Sequence, residues 1–191
     1  DLPNLPMKVK RASTRTFVLV SSAAALLTGS ATAGLLISVD MDLGTAGVQS
    51  TRVASAGEIF DVGIVFDLTS HVGGITSYGV SARFDNVELN LSGAPPETEH
   101  LPAGFDGNLS AGVTPGGSNV GGGPGKGQVS TFEAIALFSP GALAGTFLAG
   151  EIKFSALLVS DDGLPDIELG LFNAGVDGLF DTSFSPITSV T

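Results

Sequence analysis

Apolar residues recur at every second position through much of this chain. Leu35, Ile37, Val39 and Met41 alternate with Leu36, Ser38 and Asp40, so one row of side chains faces a core and the other faces away, as the pleat of a half-buried strand requires. After the Ala56-Gly57 turn, Phe60, Val62, Ile64 and Phe66 alternate with Ile59, Asp61, Gly63 and Val65; beyond Gly73-Gly74, Tyr78, Val80, Ala82 and Phe84 alternate with Ser77, Gly79, Ser81 and Arg83. Asp85-Asn86 turns the chain into a short strand around Val87, Leu89 and Leu91. Val129 to Phe138, Phe147 to Val159 and Asp166 to Phe172 read as three more strands, divided by Ser139-Pro140-Gly141 and Asp161-Asp162-Gly163, with Ile187 to Val190 as a candidate last one. No helical period appears among them, so the pattern predicts an all-β fold, an antiparallel β-sandwich of roughly nine strands.

Two segments break the alternation. Between Leu101 and Gln128, ten of 28 residues are Gly and three are Pro, a composition that buries too little apolar surface to offset its ordering entropy. It reads as a long mobile loop, 101–128, inserted between strands. Near the start, Met7 is followed by Lys8, Lys10, Arg11 and Arg15, then the apolar run Phe17 to Leu27, then Ala31-Thr32-Ala33. Basic residues, an apolar stretch and a small-residue site in that order are a secretory signal peptide. The run is shorter than the roughly 20 residues a membrane span needs. The expected organisation is a leader over 1–33, cleaved after Ala33, with 1–6 an over-extended start before Met7, and one sandwich over 34–191. The mature chain is then expected to be secreted, extracellular or at the cell surface, with no insertion into a membrane.

Removing that leader sharpens the charge. Four of the eight basic residues lie in it, leaving Arg52, Arg83, Lys126 and Lys153 against eighteen carboxylates, a net of −14. Such a surface repels nucleic acid, whose binding rests on neutralising phosphate with Lys and Arg. The chain has no cysteine, so disulfides do not hold it and a core or bound ions must.

Three segments carry a family resemblance: Ala56-Gly57-Glu58-Ile59-Phe60-Asp61-Val62 entering a strand, Tyr78 to Leu89 with its Phe84-Asp85-Asn86-Val87-Glu88-Leu89 turn, and Leu148-Ala149-Gly150-Glu151-Ile152-Lys153-Phe154. In this order they resemble cohesin-like domains, relatives of the cellulosome modules that bind dockerins, which share their sandwich with several carbohydrate-binding modules. The turn departs from the family in having Asn86 where Pro is usual. The resemblance implies a nine-stranded jelly roll without catalysis. It also implies a protein partner of the dockerin kind, met through one sheet face, or a polysaccharide at the cell surface. No position matches a contact motif specific enough to carry dockerin-binding residues over.

Candidate chemistry is sparse. Nucleophilic catalysis needs a base beside a positioned nucleophile, and the two histidines, His71 and His100, lie in apparent loops with no evident partner. The glycine run before Lys126 fails as a phosphate loop, with Val120 where the first Gly belongs and Gly127 where Ser or Thr belongs. Asp161, Asp162 and Asp166 cluster in a turn before a strand, the hard-oxygen setting calcium uses, although the same Asp and Gly residues equally suit the turn's backbone. Asp177 and Asp181 around Gly178 are a weaker instance. Trp is absent and Tyr78 is the one tyrosine, which disfavours stacking on sugars. The functional expectations are a non-enzymatic protein-binding module, a carbohydrate-binding module, or an envelope protein whose C-terminal anchor is missing.

Overall fold

The computed structural model describes residues 16–20, 34–71, 73–107, 116–142, 144–157, 164–173 and 177–188. Its strands, in chain order, are β1 (Thr16–Val20), β2 (Leu36–Asp40), β3 (Thr51–Ser55), β4 (Ile59–Asp67), β5 (Ser77–Asp85), β6 (Leu89–Leu91), β7 (Glu97–Glu99), β8 (Gly116–Gly123), β9 (Lys126–Ile135), β10 (Thr146–Ala156), β11 (Ile167–Gly170) and β12 (Gly178–Phe180). They form two antiparallel layers. Sheet I runs β2-β4-β10-β6, with β7 also pairing β10; sheet II runs β11-β5-β9-β8, with β12 also pairing β5. From β4 onward the chain passes from sheet I to sheet II and back, the winding of a jelly roll. The all-β sandwich expected from the alternation is the fold found.

The inward rows are the ones the period-2 pattern selects. Phe60, Val62, Ile64 and Phe66 of β4 pack against Tyr78, Val80, Ala82 and Phe84 of β5, all buried, while Ile59 stands out in solvent. Register keeps the rows in phase: Phe66 lies opposite Phe147 on β10 and Ile37 on β2, and Val80 lies opposite Phe132 on β9. A slip of one residue would turn these rows outward.

Where the alternation is short or the composition misleading, the sequence reading needs correction. Residues 101–128 are not one loop, because Gly116–Gly123 forms β8 and Lys126 opens β9, with Pro124-Gly125 as their turn. Their glycines answer close packing. A Cβ on Gly127 would lie 2.1 Å from Phe84 Cζ, and one on Gly117 would lie 2.8 Å from Leu91 Cδ1 and 3.1 Å from Glu97 Oε2. Val87 lies exposed in the turn, outside any strand, and the short strand begins at Leu89. At the other end of the chain β12 provides the late strand; Ile187 and Thr188 are not in one, and 189–190 lie outside the described residues. Within the expected leader, Thr16–Val20 pairs with β3 from Thr16↔Ser55 to Val20↔Thr51. Ala33 and the rest of that segment lie outside the described residues.

Candidate interaction surface

The two ends of the sandwich are built differently. One end collects the loops 68–76, 100–107, 136–145 and 181–185, which follow β4, β7, β9 and β12. Beneath them lies an aromatic cluster: Tyr78 sits 4.7 Å from Phe66 and 5.3 Å edge-on from Phe105, and Phe66 stacks on Phe147 at 5.0 Å. Each such pair adds about 0.5–1.5 kcal/mol beyond its buried area. Phe105 belongs to loop 100–107, so this loop is plugged into the core. Burial pushes the Tyr78 hydroxyl well above the usual phenol range, with the Glu99 charge a second cause.

Backbone contacts then lock the loops together. Gly141 N–H donates to Gly104 O at 3.0 Å, Ile75 and Ala142 exchange bonds of 2.8 and 3.0 Å, and Ala136 N–H donates to Thr76 O at 2.7 Å. The Thr76 hydroxyl donates to Asp181 O and that of Thr182 to Gly73 O at 2.8 Å. Two aspartates set the loop tips. Asp106 accepts from Phe138 N–H at 2.5 Å, from Ser139 N–H at 3.0 Å and from the Ser139 hydroxyl. These donors, the hydroxyl foremost, hold the Asp106 carboxyl below its ordinary range. Asp181 accepts from Ser183 N–H at 2.8 Å and Ser185 N–H at 2.9 Å.

What the tips present is apolar. Phe138 is 95% exposed, and Leu137, Leu101 and Phe184 are more than half exposed. Phe184 has φ 57°, the left-handed region, which costs a residue with a Cβ roughly 1–2 kcal/mol. No Lys or Arg among the described residues accompanies them. Arg83 and Lys126 lie at the opposite half of β5 and β9, Lys153 faces Asp61 near the start of β4, and Arg52 reaches Glu58 just before β4.

The sheet faces offer less. The outward side of sheet I carries Asp61–Lys153 at 3.7 Å and His100 Nε2 to Glu151 Oε1 at 3.0 Å, with Leu43 and Leu148 covering Gly63. On sheet II, Arg83 lies 4.1 Å over the Phe172 ring and Lys126 pairs with Glu168 at 3.6 Å. His100 therefore has a partner that its sequence context did not disclose. The His71 backbone N–H donates to Leu68 O at 3.0 Å, and its ring Nε2 is buried without a hydrogen-bond partner.

Of the calcium candidates, Asp161 and Asp162 lie outside the described residues. Asp166 is buried, and its carbonyl accepts from Asp85 N–H at 2.8 Å where β11 begins. The Asp177 carboxylate takes Asn173 N–H at 2.7 Å. No group of three metal-ligating side chains occurs among the described residues, and no helix among them is long and apolar enough to cross a membrane.

No family model matches the chain, and no curated protein matches it. Among solved structures it is similar to the sixth cohesin of scaffoldin B from Acetivibrio cellulolyticus, solved in complex with a Cel5 dockerin, at 16% identity over 83% of this chain and 94% of that one, TM-score 0.46. A type I cohesin from Pseudobacteroides cellulosolvens matches at 16% identity over 82% and 84%, TM-score 0.44. A non-cellulosomal cohesin from the archaeon Archaeoglobus fulgidus matches at 11% identity over 71% and 76%, TM-score 0.38.

Proposed function

We propose that this chain is a secreted, non-catalytic binding module that grips another protein with the aromatic-tipped end of its sandwich. The observation that carries the reading is Phe138, fully in solvent on a loop that Asp106 and the Gly104–Gly141 contact hold in one shape. An apolar ring costs less to bind when it is already ordered, and rigid aromatic anchors dominate protein interfaces. The likeness of its strand motifs to cohesins agrees with a protein partner but leaves the contact surface open. Secretion follows from the leader over 1–33, whose removal after Ala33 would take β1 from β3 and expose the Thr51–Ser55 edge.

A photo-crosslinking residue placed at position 138, presented to the secreted proteins of the source organism, tests the assignment. One discrete adduct is expected, lost when Phe184→Ser is added and absent when the crosslinker sits at Thr98 on the sheet face. Equal capture from both positions defeats it. Retention of the chain on insoluble polysaccharide through Phe138 would favour the carbohydrate-binding alternative instead. Calcium at Asp161, Asp162 and Asp166 is the one cofactor this reading admits. A melting temperature unchanged by ~1 mM calcium, the range extracellular modules use, removes it.

A further inference from the structure

Strand β8 closes one edge of sheet II, where it faces β6 and β7 of sheet I. Polar ties hold it there. Asn119 Oδ1 accepts from Leu91 N–H at 2.9 Å, and Asn119 O accepts from the Asn86 side-chain amide at 2.7 Å. The Glu97 carboxyl accepts from Gly117 N–H and from its own N–H. Glu97 lies opposite Ile152 on β10, so its side chain leaves β7 on the core face with that buried residue. A Cβ on Gly117 would lie 3.1 Å from Glu97 Oε2, 2.8 Å from Leu91 Cδ1 and 3.2 Å from Pro96 Cγ, so the carboxyl shares its niche with apolar side chains. The Asn119 ties do not titrate; the Glu97 tie does.

Glu97 is 6% exposed, and its Oε2 has no hydrogen-bond partner. A buried carboxylate oxygen without a donor is costly, whereas the neutral acid carries no charge to desolvate. Burial is accordingly the largest influence on this carboxyl and raises it above the ordinary value of 4.5, against the two N–H bonds that favour the charge. No cation among the described residues shares the niche. Glu99, the next side chain on the same face of β7, is itself acidic and accepts from Glu133 N–H at 2.8 Å. Strands β6 and β8 carry no titratable side chain. On β10, Glu151 and Lys153 flank Ile152 on the other face, where they meet His100 and Asp61. On β9, Glu133 lies opposite Gly79 on the outer face of sheet II, and Lys126 reaches Glu168.

We propose that Glu97 is an acid-set latch between the two sheets: as the neutral acid it holds β8 closed on β6 and β7, and its ionisation loosens that edge of the sandwich. A folded value above the ordinary one gives stability that is fully present below about pH 4.5 and is lost as pH rises through the folded value. Glu58, Asp67 and Asp106 act in the reverse sense, so the β8 edge tightens on mild acidification while the parts those carboxylates hold do not. Loosening bares Leu91 and Pro96 beside the β8 main chain. The latch is separate from the Phe138 loop end, and each assignment stands without the other.

The test follows amide exchange in the full chain, labelled with nitrogen-15, at about pH 7 and about pH 4.5. Protection factors remove the intrinsic pH dependence of exchange and report local opening. Those of the Gly117 and Leu91 amides are expected to rise at least about threefold in acid, while those of Val62 and Ile64 on β4 do not. Glu97→Gln, uncharged at either pH and close in shape, is expected to protect Gly117 and Leu91 equally at both. Glu99→Gln is expected to keep the wild-type response. Wild-type protection that stays level or falls in acid, a rise that survives Glu97→Gln, or one that Glu99→Gln abolishes overturns the proposal. Should a variant fail to fold, the wild type decides alone: the carbon-13 signal of the Glu97 carboxyl is expected to titrate above the ordinary glutamate range, in step with the Gly117 amide shift. A midpoint at or below that range overturns the latch.

Discussion

The loop end and the opposite end of the sandwich use the same acidic residues to opposite purposes. At the end carrying Arg52 and Lys126, carboxylates pair with cations: Arg52 contacts Glu58 at 2.9 Å and Asp42 at 3.6 Å, and Lys126 contacts Glu168 at 3.6 Å. At the loop end no Lys or Arg is present among the described residues, and Asp106 and Asp181 spend their oxygens on backbone N–H groups of the loops. Ion pairs between long side chains add little at a surface and fade with salt. A carboxylate bonded to its own loop fixes backbone geometry at short range, so the acidic chain can build a rigid apolar platform without any cation.

Breaking that platform should have the largest effect of any change considered. Gly141 has φ +74°, and a Cβ there would lie 2.2 Å from Ile75 O. Backbone cannot move aside as a flexible side chain would, so Gly141→Ala is expected to cost about 3 kcal/mol or more, which lowers Tm by about 6–12 °C in a domain of this size. Asp106→Ala should cost less, because the freed N–H groups are exposed and water replaces the carboxylate. Its signature is local: amide exchange at Phe138 and Ser139 accelerates while the β4 and β5 amides keep their protection. Unchanged exchange there would mean that the tip is held by packing alone.

These residues also mark where the sequence stops being legible. The core rows of β4 and β5 follow from alternation because burial on one face is a local pattern written in side chains. β8 is invisible to the same logic, since a glycine strand carries its instructions in main-chain pairing and in the room needed beside Leu91 and Glu97. The loop end is harder still. Asp106 lies 32 residues from Phe138, and nothing in either neighbourhood announces the bond. One local hint was available: the run Leu137-Phe138-Ser139-Pro140-Gly141 puts two large apolar residues at the edge of a turn, a position where solvent exposure is the rule.

Salt separates the two ends. Arg52→Ala removes the Glu58 pair and the contact of the guanidinium with the Phe60 ring at 5.0 Å, for about 1 kcal/mol and 2–4 °C in Tm. The wild-type Tm is expected to fall slightly between low and high NaCl, and the variant's to fall less. Asp106→Ala should leave the salt response as in the wild type. Acid does not discriminate. Glu58 at one end, through the Arg52 hydrogen bond, and Asp67 and Asp106 at the other, through bonds from Thr69 and Ser139, are all held below their ordinary values. A depressed folded-state value contributes stability above the usual carboxylate range, lost as pH falls through the folded value. Both ends should therefore loosen together below about pH 4, as followed by amide exchange at Ser139 and at Ser55.

The smallest stability change expected is the most telling for function. Phe184 occupies the left-handed region with a Cβ, and glycine adopts that conformation freely while losing more entropy on folding. Phe184→Gly relieves the strain and adds chain freedom to the unfolded state, so stability should stay level or rise by up to about 1 kcal/mol, read as Tm. Its exposed ring contributes little to the core, so little is lost there. If the loop end binds protein through its aromatic tips, this variant keeps or gains stability while its crosslinked adduct from position 138 disappears. A variant that loses stability by several degrees would show Phe184 to be held by packing, and the contrast between a platform strained for contact and an end tied by charge would fail at that residue.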